Sequence, residues 1–151
     1  MANPFVAATT TEEESAEAEL PYLTEYAWDF EHDRLVYDVN GKPIIVYENE
    51  ALKVWVYHCL KCERYQYNIY RHGEFNEKCN YGVYIEKYLG AYPNTEKTAS
   101  LVRKEIREAM LANPYVKQID YLDIGDIRHE NLVLDMGLTS IYGSLKIKFI
   151  L

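Results

Sequence analysis

The first 33 residues contain no lysine and no arginine, yet they carry nine acidic side chains. No stretch approaches the about 18 uninterrupted apolar residues that a membrane helix requires, so a membrane span is excluded. No basic n-region leads into an apolar run. A signal peptide is therefore not expected, and the chain is expected to stay in the cytosol of its producing cell. Only three cysteines are present, which in that setting argues against a disulfide framework. There is no glycine-rich phosphate loop, and no Ser or Cys stands in a nucleophile motif. An enzyme is not expected, and no cofactor.

What remains is a chain of 151 residues, 48% hydrophobic, with a net charge of −8. That length suits one domain, which can bury about two thirds of its unfolded surface in a single core. Of 24 acidic side chains, 15 lie beyond residue 33 against all 16 basic ones, so the body is nearly neutral. A neutral body lacks the clustered basic surface that nucleic acid demands. Residues 1–24 read as an acidic arm, flexible in isolation, in which Glu12 to Leu20 could turn helical when bound. The arm is either a solvated tail or a docking element for a basic partner. Tyrosine is over-represented at 15 residues, seven of them between Tyr65 and Tyr92. Tyrosine suits places that are half buried and half wet, either an interface or the rim of a core.

Residues 25–151 read as one α+β domain. Tyr26, Trp28 and Phe30 alternate with Ala27, Asp29 and Glu31, which predicts a strand. Leu35-Val36-Tyr37 and Ile44-Ile45-Val46-Tyr47 flank Asn40-Gly41, both tolerant of positive φ, which predicts an N-terminal β-hairpin. Leu52, Trp55, Val56 and Cys59 mark one stripe of a helix over Glu48 to Leu60. Glu63 to Tyr70 alternates as a strand. Asn80 to Leu89 is expected to form a short helix with Val83, Tyr84, Ile85 and Tyr88 inward. A longer helix follows a cap at Asn94 or Thr95, burying Ala99, Val102, Ile106, Ala109 and Met110, and Asn113-Pro114 ends it. The last third predicts a three-stranded antiparallel meander with an irregularity near Asp120 and turns at Arg128 to Asn131 and Thr139 to Ser144.

Two constellations carry candidate chemistry. His58, Cys59, Cys62, His72 and Cys79 cluster in sequence, with zinc-like spacing at Cys59 and Cys62. Cys59 also falls on the apolar helical stripe, where a buried thiol is a small hydrophobe. Metal is therefore not expected. Glu63 is the carboxylate best placed for acid–base work, but a glycosidase needs a second one across the scissile bond. Glu74 and Glu77 are near only in sequence. The alternative for Glu63 and Arg64 is an ion pair or cap at a helix end.

Six ordered runs carry a resemblance. They are Tyr26 to Glu31, Asn40-Gly41-Lys42-Pro43, Ala51-Leu52-Lys53 with Trp55, Glu63-Arg64-Tyr65 with Ile69-Tyr70, Ile106-Arg107-Glu108-Ala109 with Asn113-Pro114-Tyr115, and Thr139-Ser140-Ile141-Tyr142-Gly143. Over Tyr26 to Leu151 the chain resembles the XkdS-like family of phage baseplate proteins. That family is similar to the lysozyme-like wedge protein of contractile tails. The resemblance implies a structural sheath initiator of a phage tail or tailocin, with no muralytic activity. It implies a place in the tail baseplate of the particle, assembled in the bacterial cytoplasm, in six copies. Its implied partners are baseplate wedge proteins and the sheath protein, with the inner tube or hub as a further candidate. Relatives carry a Glu-Arg or Glu-Pro-Arg element that meets the wedge core. Here Cys62-Glu63-Arg64 takes that place without the proline, which makes Glu63, Arg64 and Tyr65 expected contacts. Where relatives show Tyr-Gly-Glu, this chain has His72-Gly73-Glu74, and Asn76 to Tyr92 is expected to be a partner-specific surface.

The family's sheath subunits join by strand exchange. A sheath arm is expected to add near Leu145 to Leu151, with Leu145, Lys146, Ile147, Lys148 and Phe149 in contact, and proline at Ile147 is expected to block it. Lys146 and Lys148 serve equally well as edge protection against aggregation. A peptidoglycan-degrading lysozyme-like enzyme and a zinc-stabilised adaptor are the alternatives.

Overall fold

A computed structural model describes residues 19–64, 81–88, 96–125 and 132–151. The chain opens with four short strands: β1 (Thr24–Tyr26), β2 (Trp28–Asp29), β3 (Arg34–Leu35) and β4 (Ile45–Tyr47). The strand predicted over Tyr26 to Glu31 is split. Its first half pairs antiparallel with β4 and its second with β3. Ala27 is the joint. Its N–H donates to Ile44 O (2.8 Å), its carbonyl accepts from Val36 N–H (3.0 Å), and Ile44 N–H donates to Val36 O (3.0 Å). These three segments thus close a ring of backbone hydrogen bonds. The turn at Asn40-Gly41 is as expected, but only Gly41 takes positive φ (77°). Asp38 Oδ1 accepts from the N–H groups of Asn40 (2.8 Å) and Lys42 (2.9 Å). Tyr37 and Pro43 bridge the two arms.

Helix α1 (Glu48–Lys61) leaves β4 abruptly. Glu48 has φ 52°, and its N–H donates to Leu23 O (3.1 Å) in place of a side-chain cap. The helix buries a wider face than the predicted stripe, adding Ala51, Val54, Tyr57 and Leu60 to Leu52, Val56 and Cys59. Tyr57 is covered by a second layer, in which Phe30 packs edge-on against it (5.0 Å) and Trp28 packs against the neighbouring His58 (4.5 Å). Trp55 is only partly buried, against Tyr81 (5.8 Å).

Of the helix expected over Asn80 to Leu89, the described residues 81–88 hold only one 3-10 turn, Glu86–Tyr88, preceded by non-helical chain. Gly82 at φ 89° breaks any helix, and Val83 forms a parallel bridge with Glu63. Val83 and Ile85 are buried as expected, while Tyr84 faces out. The strand expected to run on from Tyr65 to Tyr70 lies outside the described residues. Helix α2 (Glu96–Leu111) buries all five expected residues together with Thr98. Its expected cap at Asn94 or Thr95 lies outside the described residues. Asn113 Oδ1 accepts from Tyr115 N–H (2.9 Å) and turns the chain into the sheet.

The meander is as predicted: β5 (Val116–Ile124), β6 (Val133–Ser140) and β7 (Gly143–Ile150), antiparallel, in that order. Register shifts fall on both sides of Lys117 and between Ile119 and Tyr121, the second of them at Asp120. The turn predicted at Arg128 to Asn131 lies outside the described residues. Both helices cover one face, α1 over β7 and α2 over β5. Leu134, Met136 and Leu138 are completely buried there. On the wet face the Tyr121 ring lies over Gly137, where an added Cβ would come within 2.3 Å of it.

Candidate protein-binding surfaces

The first surface is the C-terminal end of α1. Cys62 caps the helix, its N–H donating to Cys59 O (3.3 Å). Extended chain follows and meets the 81–88 segment. Val83 N–H donates to Cys62 O (3.0 Å), and Arg64 N–H donates to Val83 O (3.1 Å). Arg64 Nε donates to Gly82 O (3.0 Å), which aims the guanidinium along this seam. Gly82 is required there, since a Cβ would sit 2.6 Å from Cys62 O. Glu63 and Arg64 are half-buried. Such a fixed, planar fork is suited to a carboxylate or helix C-terminus. Tyr65, the third expected contact, lies outside the described residues.

The second surface is the outer edge of β7. In antiparallel pairing, hydrogen-bonded pairs alternate with non-bonded ones. Leu132 and Leu151 exchange both bonds (2.8 and 2.9 Å). The unbroken register then makes Leu134–Phe149, Met136–Ile147, Leu138–Leu145 and Ser140–Gly143 the other bonded pairs. Leu145, Ile147 and Phe149 thus spend their main-chain groups on β6, and their side chains are in the core. Ser144, Lys146, Lys148 and Ile150 turn their N–H and C=O groups to the free edge. Asn49 Nδ2 reaches Ser144 O (3.4 Å) and closes the first rung. Among the described residues, nothing takes the rungs of Lys146, Lys148 and Ile150. This overturns proline at Ile147 as an edge test, because its N–H lies inside the sheet.

Ile150 and Asn49 were not among the expected contacts. Loop length held the missing signal. A two-residue loop, Ile141-Tyr142, makes Ser140 and Gly143 a bonded pair and fixes every later N–H direction.

The cysteine cluster divides. Cys59 is fully buried on the core side of α1, and Cys62 is half-buried with Sγ 3.9 Å from Glu63 O. No group of three His, Cys, Asp or Glu among the described residues could hold a metal ion. His72, Cys79, Glu74 and Glu77 lie outside those residues.

A small α+β body with a free meander edge and a seam at the end of α1 is the setting in which residues 24–143 match the family model of the contractile injection system sheath initiator. The chain belongs to this family. It is a structural component of a contractile-tail baseplate, and sheath and baseplate components are the surroundings in which a sheath initiator works. The match is to sheath initiators as a whole, and the XkdS-like branch is a narrower reading. No curated protein matches the chain.

Proposed function

We propose that this sheath initiator nucleates the first sheath ring by accepting a β-strand on the outer edge of β7, while the Glu63–Arg64 seam meets the baseplate wedge. The observation that carries the reading is the run of open main-chain rungs at Lys146, Lys148 and Ile150. An incoming strand satisfies them in register, and its alternate side chains give specificity. Alternation places the exposed Lys146 and Lys148 side chains on the wet face, while Leu145, Ile147 and Phe149 anchor the edge from below. Six copies per baseplate and residence in a virion or tailocin belong to the same reading.

The test is co-expression with the sheath and wedge proteins encoded beside this chain, read by electron microscopy. Lys148→Pro removes one outward N–H, and an edge strand tolerates proline. Its fold should be kept, as checked by its melting temperature, and ring nucleation should be lost. Lys148→Ala keeps the rung and should nucleate normally. Rings formed with Lys148→Pro would overturn the placement. Arg64→Ala should keep the fold and lose attachment to the wedge.

A further inference from the structure

The N-terminal layer presents large side chains to solvent on one face. Leu23–Glu48 and Ala27–Ile44 are joined through the hydrogen bonds Glu48 N–H to Leu23 O and Ala27 N–H to Ile44 O. The intervening pairs Thr24–Tyr47 and Tyr26–Ile45 therefore sit directly opposite each other on a shared face. Tyr22, Tyr26, Ile45 and Tyr47 are 58%, 54%, 49% and 50% exposed. Glu25 and Val46, on the reverse side, are half-buried.

This face is held in place. Tyr115 OH donates to Pro21 O (2.7 Å), and Leu23 N–H donates to Tyr142 OH (3.0 Å). The Tyr22 ring lies 5.8 Å from Tyr47 and 6.1 Å from Tyr142. A surface ordered beforehand loses little entropy when a partner docks.

The charged side chains beside it are acidic: exposed Glu48 and Glu50 begin α1 next to Tyr47, and exposed Glu19 lies three residues before Tyr22. Between Arg34 and Lys53 the only basic side chain is Lys42, in the hairpin turn. Desolvation and the nearby Glu48 carboxylate hold the Tyr22 hydroxyl above its ordinary pKa. The chain's own residues 1–18 would bring Glu12, Glu13, Glu14 and Glu17 against those carboxylates. A two-fold contact between copies would set each Glu48 against the same patch of its partner.

We propose that the Tyr22–Tyr26–Ile45–Tyr47 face docks a basic, apolar segment of another protein, its arginine or lysine side chains lying over the tyrosine rings and pairing with Glu48. This surface adjoins the Ser144 end of the β7 edge through Asn49, but its side chains are not those of the open rungs at Lys146, Lys148 and Ile150.

The probe is a synthetic peptide alternating arginine with leucine, titrated into the full chain and followed by backbone NMR, with a glutamate-for-arginine peptide as control. The arginine peptide should bind saturably, shift the amide signals of Thr24, Tyr26, Ile45 and Tyr47, and weaken as salt rises. Tyr26→Ser with Ile45→Ser changes exposed side chains only. It should keep the melting temperature and bind at least about tenfold more weakly. No binding, equal binding by the double variant, or equal binding of the glutamate peptide would overturn the proposal. So would a shift of the same amides on deleting residues 1–18, which would put the arm on this face. A sedimenting dimer that the double variant dissolves would put a second copy there and would also overturn it.

Discussion

The two β regions of this sheath initiator bury their side chains differently. The meander strands run for nine, eight and eight residues; β7 alternates core with solvent from Ser144 to Ile150 and β6 buries Leu134, Met136 and Leu138 completely, while β5 shifts register twice. The N-terminal strands run for two or three residues, and none of their side chains is fully buried. Long alternation fixes its own register, because a slip by one residue would turn every core side chain to water. Short ladders cannot do this. They are held instead at points: the ring of bonds at Ala27, the left-handed Asp33 and Glu48, and Leu23 on Tyr142. One region carries the fully buried side chains, and the other displays a tethered aromatic face.

The sharpest way to break this comparison is to truncate one side chain in each region. Leu138→Ala empties a fully buried site and should cost about 3 kcal/mol in urea unfolding. Ile45→Ala, at a half-exposed site, should cost under about 0.5 kcal/mol. Equal costs would mean that the N-terminal layer carries as much of the stability as the meander.

A smaller effect is expected at the seam between α1 and the 81–88 segment. Gly82→Ala meets both positive φ and a backbone carbonyl, and should cost about 1–3 kcal/mol. The damage should stay local. Hydrogen exchange at the Arg64 and Val83 amides should accelerate, and the meander amides should keep their protection. Loss of protection in the meander as well would show that the seam is part of the core's cooperative unit.

The same contrast governs what was legible in the sequence. The meander, α2 and the Asn40-Gly41 turn follow from patterns long or specific enough to have one solution. The split at Ala27 does not, because alternation reports which face a side chain takes and is silent on which strand lies alongside. Val83 and Ile85 were rightly placed in the core, but their spacing of two fits the extended chain that is present better than a helix. At β7 the inward set Leu145, Ile147 and Phe149 was plain. The direction of each N–H was not, since it depends on the hairpin loop. At the seam, Arg64 was named without its acceptor, because Gly82 O comes from 18 positions along the chain.

An effect smaller than that at Gly82 is the one that changes with pH. Asp33 holds the β2–β3 turn to α1: its Oδ1 accepts from Trp28 Nε1 (3.1 Å) and Tyr57 OH (3.0 Å), and its Oδ2 lies 3.4 Å from Lys61 Nζ. Desolvation pushes the carboxyl up, but the hydrogen bonds from Tyr57 and Trp28 and the charge of Lys61 outweigh it, and the pKa ends below the ordinary value. A carboxylate depressed in the folded state adds stability that is complete above its unfolded pKa of about 3.9 and is lost as pH falls through the lower folded value. The Asp33 side chain is 54% exposed, so solvent screens the ion pair. Asp33→Asn keeps a residue that tolerates φ near 52° and should cost no more than about 1 kcal/mol at neutral pH. The gap between wild type and variant in urea midpoints should close below about pH 4. Asp29, also depressed, contributes to both proteins and cancels in the difference. Leu138→Ala, measured alongside, should keep its cost across the same range, because burial of a methyl group carries no proton. A gap at Asp33 that persists in acid would assign the anchor to hydrogen-bond geometry alone and remove charge from the account of how the N-terminal layer is held.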